Sequence, residues 1–71
     1  MQAEDIAAFQ EQIDEIDRKI DLLTQAQRLM WQIDTQLNKH FYQPVSIIED
    51  NIGIMRARLE REKRDYELFL K

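Results

Sequence analysis

Apolar residues recur along most of the chain at alternating spacings of three and four: Ile6, Phe9, Ile13, Ile16, Ile20 and Leu23, then Val45, Ile48, Ile52, Met55 and Leu59. Residues spaced in this way share one face of an α-helix, so the pattern defines a stripe that has to be covered by another helix. A sheet would instead demand alternation with a period of two. Residues 3–40 contain neither Gly nor Pro, and carry Glu4 and Asp5 near the start and Lys39 and His40 near the end, as a helix dipole favours. They read as one long helix, supported locally by the i,i+4 pairs Asp14–Arg18 and Glu15–Lys19.

Phe41-Tyr42-Gln43-Pro44 interrupts this pattern, because proline lacks an N–H and biases the preceding residue away from helical angles. The sequence therefore predicts a turn over about residues 41–45 and a second helix over about 46–69. Ser46 and Glu49 have the spacing of a capping box, and Pro44 could alternatively sit in the first turn. Gly53 lies inside the second helix, yet the stripe Ile48, Ile52, Met55, Leu59 passes through it without a shift, leaving a local kink there as a minor alternative. The stripe continues through Glu62 to Tyr66 and Phe69, with Glu60–Arg64 and Glu67–Lys71 as further i,i+4 pairs. Residues 1–71 thus form one all-α domain, an antiparallel hairpin of two long helices.

Several features point to self-association. A chain of 71 residues without cysteine has a small core and no disulfide or thiolate metal site to staple it. A turn centred on residues 42 and 43 would bring Lys71 only to the level of Asp14, so that Ile6, Phe9 and part of Ile13 would find no partner within their own chain. A second stripe, Leu22, Ala26, Leu29 and Ile33, runs beside the first, and Ile47 and Ile54 widen the second helix in the same region. Gln27, Asp34 and Glu62 interrupt the main stripe, where polar groups can fix register. The expected assembly is a homodimer or higher oligomer forming a four-helix bundle or coiled coil, with Ile6, Phe9, Ile13, Leu22, Leu29 and Ile33 at its interface.

Charge and composition argue against other classes. The net charge of −4 repels a nucleic-acid backbone, and the basic cluster Arg56, Arg58, Arg61, Lys63 and Arg64 is interleaved with acids. Residues 1–35 carry a balance of −5 and residues 36–71 a balance of +1, so an antiparallel fold brings opposite charges together. No stretch approaches a membrane span, and no basic segment followed by an apolar run opens the chain, so a soluble, cytoplasmic protein without a membrane partner is expected. His40 is the sole histidine, and the acidic row Asp14, Asp17, Asp21 lacks the Glu-x-x-His of di-metal bundles, so neither a metal nor another cofactor is expected. Trp31, Phe41 and Tyr42 are the candidates for binding a partner, since aromatics dominate interface energetics and Trp31 lies off the main stripe.

Residues 9–30, FQEQIDEIDRKIDLLTQAQRLM, resemble the opening helix of the all-helical chorismate mutases, in which an Ile-Asp-x-Ile-Asp type pattern precedes a Leu-Leu pair and an Arg. The resemblance implies an enzyme that surrounds a dicarboxylate substrate with cationic side chains, one of them an Arg near the start of this helix. This chain has Phe9, Gln10, Glu11 and Gln12 there, and lacks the third helix that such a protomer contributes. The reading taken from the residues is therefore non-enzymatic: a small self-associating regulator or adaptor that acts through protein–protein interaction. The alternative is an inhibitor that docks its apolar stripe on a larger partner.

Overall fold

The structure, a computed structural model, describes residues 3–70. Those residues are helical throughout apart from the last turn, in a single run, α1, from Ala3 to Phe69, and no strand occurs among them. The run is not straight. A helix of this length would extend roughly 100 Å, whereas the molecule measures 55 × 15 × 13 Å. At Phe41 the backbone leaves the helical region (φ −133°, ψ 48°), and the chain doubles back there. Side chains far apart in sequence then meet: Arg56 Nη1 donates to Gln27 Oε1 at 2.6 Å, and Lys63 Nζ lies 2.6 Å from Asp17 Oδ1.

The departure from helical geometry is confined to Phe41, so residues 42–45, expected as a turn, are helical instead. Pro44 falls in the first turn of the second limb, residues 42–69. Its missing N–H would have sought the carbonyl of His40, on the far side of the kink, so the proline removes no bond the kink had not already broken. Ser46 consequently lies within the helix and does not cap it. Gly53 is helical too, with no kink.

Along both limbs the more protected positions alternate by three and four. On the first limb, residues 3–40, they include Phe9, Ile13, Ile16, Ile20, Leu23, Gln27, Met30 and Asp34. On the second they include Val45, Glu49, Ile52, Arg56, Leu59, Lys63 and Tyr66. The first set follows the stripe expected from the sequence and extends it through two polar residues. The second departs from expectation: Ile48 and Met55 are exposed, while Glu49, Arg56 and Lys63 take the inner positions between Val45, Ile52, Leu59 and Tyr66. Long basic side chains can do this because their methylene stems cover apolar surface while the charged heads reach outward to a partner. Arg56 reaches Gln27 and Glu60, and Lys63 reaches Asp17.

Met30, Val45 and Ile52 form the buried cluster, with Leu23 and Ala26 packed against it. Ile13 and Ile16 are buried farther from the kink. The expectation that Phe9 and Ile13 find no partner in their own chain does not hold. Facing positions sum to 83 and 80, lower than the 85 a turn at residues 42 and 43 would give, which brings the second limb farther along the first. Phe9 stacks on Phe69 with ring centroids 5.6 Å apart and meets Tyr66 at 5.7 Å, and Ile13 is only 6% exposed. Ile6 stays half exposed. The predicted position of Lys71, and its pair with Glu67, lie outside the described residues.

Of the expected i,i+4 ion pairs, Asp14–Arg18, Glu15–Lys19 and Glu60–Arg64 are not formed, and Glu60 binds Arg56 instead. Asp14 and Asp21 accept hydrogen bonds from Gln10 and Gln25. The hydrogen bond from Lys63 to Asp17 raises the lysine pKa above its ordinary value, and nearby Glu67 and Glu60 act in the same direction. A raised pKa in the folded state means that this pair stabilises the fold below the ordinary lysine range and loses its effect as pH rises through the raised value. Thermal melts of the parent should therefore fall more steeply than those of Asp17→Asn at alkaline pH, and parallel curves would deny the pair a stabilising role.

Gly53 offers a second test. A Cβ built there meets no atom within 4 Å, and the backbone is helical. Gly53→Ala should raise stability by about 0.5–1 kcal/mol, read from chemical denaturation. A loss would show that close packing in solution excludes a methyl group at this position. The Gln27–Arg56 bond joins a neutral and a charged group at a partly buried level. A double-mutant cycle with Gln27→Ala and Arg56→Ala should give a favourable coupling of about 0.5–1.5 kcal/mol, whereas additivity would mean that the bond contributes nothing.

Candidate functional site

The inner seam has two unlike edges. Its apolar members Leu23, Met30, Val45, Ile52 and Leu59 adjoin one flank of the molecule, and its polar members Gln27, Asp34, Glu49, Arg56 and Lys63 adjoin the other. Leu22 and Trp31 make the distinction concrete. Nine residues apart is two and a half helical turns, so they point to opposite sides of the first limb.

On Leu22's side a groove of about 430 Å³ is lined by Lys19, Leu22 and Leu23 from the first limb and by Met55, Arg58 and Leu59 from the second. Leu29 and Ile33 continue this flank toward the kink on the first limb, and Ile48 does so on the second. Leu22 and Leu29 are 65% and 60% exposed, and Ile33, Ile48 and Met55 are also open to solvent. Ile47 and Ile54, both exposed, border the flank on the second limb. The limbs therefore share one continuous apolar surface that is left uncovered among the described residues. Such a surface is the usual mark of an interaction site.

On Trp31's side a groove of about 410 Å³ is lined by Gln27, Met30, Trp31, Asp34, Glu49, Asp50 and Ile52. Asp34 holds the Asn38 side chain at 2.6 Å. Trp31 is 71% exposed, so it covers no core within the chain. Phe41 and Tyr42 sit at the kink, also exposed, with the His40 ring 6.3 Å from that of Phe41. The three aromatic candidates are thus divided between the polar flank and the tip.

The structure likewise divides the six residues expected at a self-association interface. Leu22, Leu29 and Ile33 lie together on the apolar flank, Ile13 is buried, Phe9 packs on Phe69 and Tyr66, and Ile6 is open near the far end. Ile48 and Met55 belong to the flank and were missed as surface residues, since their spacing assigns them to the inner seam. The signal that could have found them is the pair of parallel stripes on the first limb: a partner helix with one stripe cannot cover both. Among the described residues no group of three or more His, Cys, Asp or Glu is placed to hold a metal ion, and no helix is long and apolar enough to cross a membrane.

No protein-family model, no curated protein and no solved structure matches this chain.

Proposed function

We propose that the protein is a non-enzymatic interaction module, an antiparallel helical hairpin that self-associates through its apolar flank into a four-helix bundle and acts as a small regulator or adaptor. The observation that carries this reading is the exposure of Leu22, Leu29, Ile33, Ile48 and Met55 on one side of both limbs. Full burial of a Leu, Ile or Met side chain contributes about 1.5–3 kcal/mol, so covering these half-exposed groups adds on the order of 4–7 kcal/mol per chain. The intrachain core is small by comparison: Ile13, Ile16, Met30, Val45 and Ile52 are its buried residues. The polar flank, with Gln27, Asp34, Glu49, Arg56 and Lys63 at the edge of the seam, is suited to remain against water.

Sedimentation from micromolar to tens of micromolar protein should give a mass above that of one chain, and the melting temperature should rise with concentration. Leu29→Ser should lower the sedimenting mass, while Trp31→Ala on the opposite flank should leave it unchanged. A single-chain mass throughout, with a melt independent of concentration, would reject self-association. Equal effects of the two substitutions would reject the assignment of the flank.

A further inference from the structure

The occupant of the apolar flank and its orientation can be argued from where the charges lie. This step rests on the reading of the flank as an interaction surface. We propose that a second copy packs side by side with the first, kinks at the same end, so that each first limb lies on the other copy's second limb and Lys19 is flanked by Glu62 of its own chain and Glu62 of the second copy.

The flank is not uniform along its length. Its kink-proximal half carries Leu29, Ile33 and Ile48, and beyond Leu22 and Met55 it carries Glu15, Lys19, Arg58 and Glu62, with Phe69 exposed at the outer end. Facing positions that sum to between 80 and 83 set Ile48 level with Ile33 and Glu62 level with Lys19. Lys19 and Glu62 are exposed, and neither is in a salt bridge among the described residues.

A two-fold axis parallel to the long dimension keeps every level opposite itself. Ile33 of each copy then meets Ile48 of the other, and the two Lys19 and two Glu62 side chains alternate in sign around the axis. All neighbouring helices run antiparallel, as in an up-and-down bundle. With the kinks at opposite ends and the molecules fully overlapped, Ile33 and Ile48 would instead face the charged half, where carboxylates would lose water without a partner. Sliding the copies until the apolar halves coincide would leave the outer half of each flank uncovered. The same-end arrangement alone covers the whole flank and matches like surface with like surface and charge with opposite charge.

The chain has no cysteine, so a single Lys39→Cys, at an exposed position near the kink, can carry a spin label without interference. The same-end dimer should give an intermolecular label distance of about 30 Å, from helices packed about 10 Å apart plus the label arms. Opposite ends would give roughly 50 Å from the rise along the helix. Lys19→Glu should weaken dimerisation about tenfold with helicity retained, and adding Glu62→Lys should restore it. A dimer that Leu29→Ser abolishes but whose labels lie near 50 Å would overturn the arrangement and leave the interaction surface standing. Absence of the charge-reversal rescue would overturn the Lys19–Glu62 assignment, a dimer indifferent to Leu29→Ser would overturn the flank itself, and a monomer at all concentrations would overturn the second copy as occupant.

Discussion

The contact between the two limbs is apolar along one edge and polar along the other, and the remaining features of the molecule depend on that asymmetry. Leu23, Met30, Val45, Ile52 and Leu59 supply the dry edge, while Gln27, Arg56, Asp17 and Lys63 supply hydrogen bonds and an ion pair at the wet one. A polar group at the seam is tolerable only where it reaches a partner or water, and these side chains do both. The cost is that the seam buries little: its buried residues are Ile13, Ile16, Met30, Val45 and Ile52. Leu22, Leu29, Ile33, Ile48 and Met55 are displaced to the flank beside the dry edge, where they stay exposed.

This displacement links the fold to its proposed role. A two-helix unit of 71 residues has too little interior to be strongly stable alone, and covering a second apolar face is an available remedy in a chain without cysteine. In the proposed assembly, the surface that leaves a lone chain under-packed is the one a second copy covers. Under the proposed self-association, folding and assembly are coupled through one set of side chains, Leu22, Leu29, Ile33, Ile48 and Met55. Under that proposal a substitution on the apolar flank changes stability and assembly together, whereas one at the polar edge acts on the stability of the single chain and leaves assembly in place.

Much of this was legible in the sequence, and the exceptions have physical causes. The three-and-four spacing of Ile13, Ile16, Ile20 and Leu23 specifies helix because no other regular structure aligns those positions, and Leu22, Leu29 and Ile33 stood out as a separate stripe. The inner seam of the second limb was misread because hydrophobicity alone ranks Ile48 above Glu49 and Met55 above Arg56. Which of two adjacent stripes turns inward is decided by the partner limb, whose own polar residues, Gln27 and Asp17, select Arg56 and Lys63 to face them. The extent of the break was also misjudged, since Phe41 alone departs from helical angles where a turn over about residues 41–45 was expected. Proline restricts the helix that precedes it but fits the first turn of one that follows, so Pro44 marks the break only to within a few residues. The proposed packing between copies would leave a trace in the sequence only as surplus apolar surface, because its geometry is not local and does not form a motif.

Small-angle X-ray scattering tests the central claim most directly, because it reports mass and longest dimension from one sample. Two doubled-back chains side by side should scatter with about twice the 8.6 kDa chain mass while keeping a longest dimension close to the 55 Å of one chain. A particle of single-chain mass with that dimension would mean that the apolar flank stays uncovered, and one extending to roughly 100 Å would mean that the chain does not double back at all.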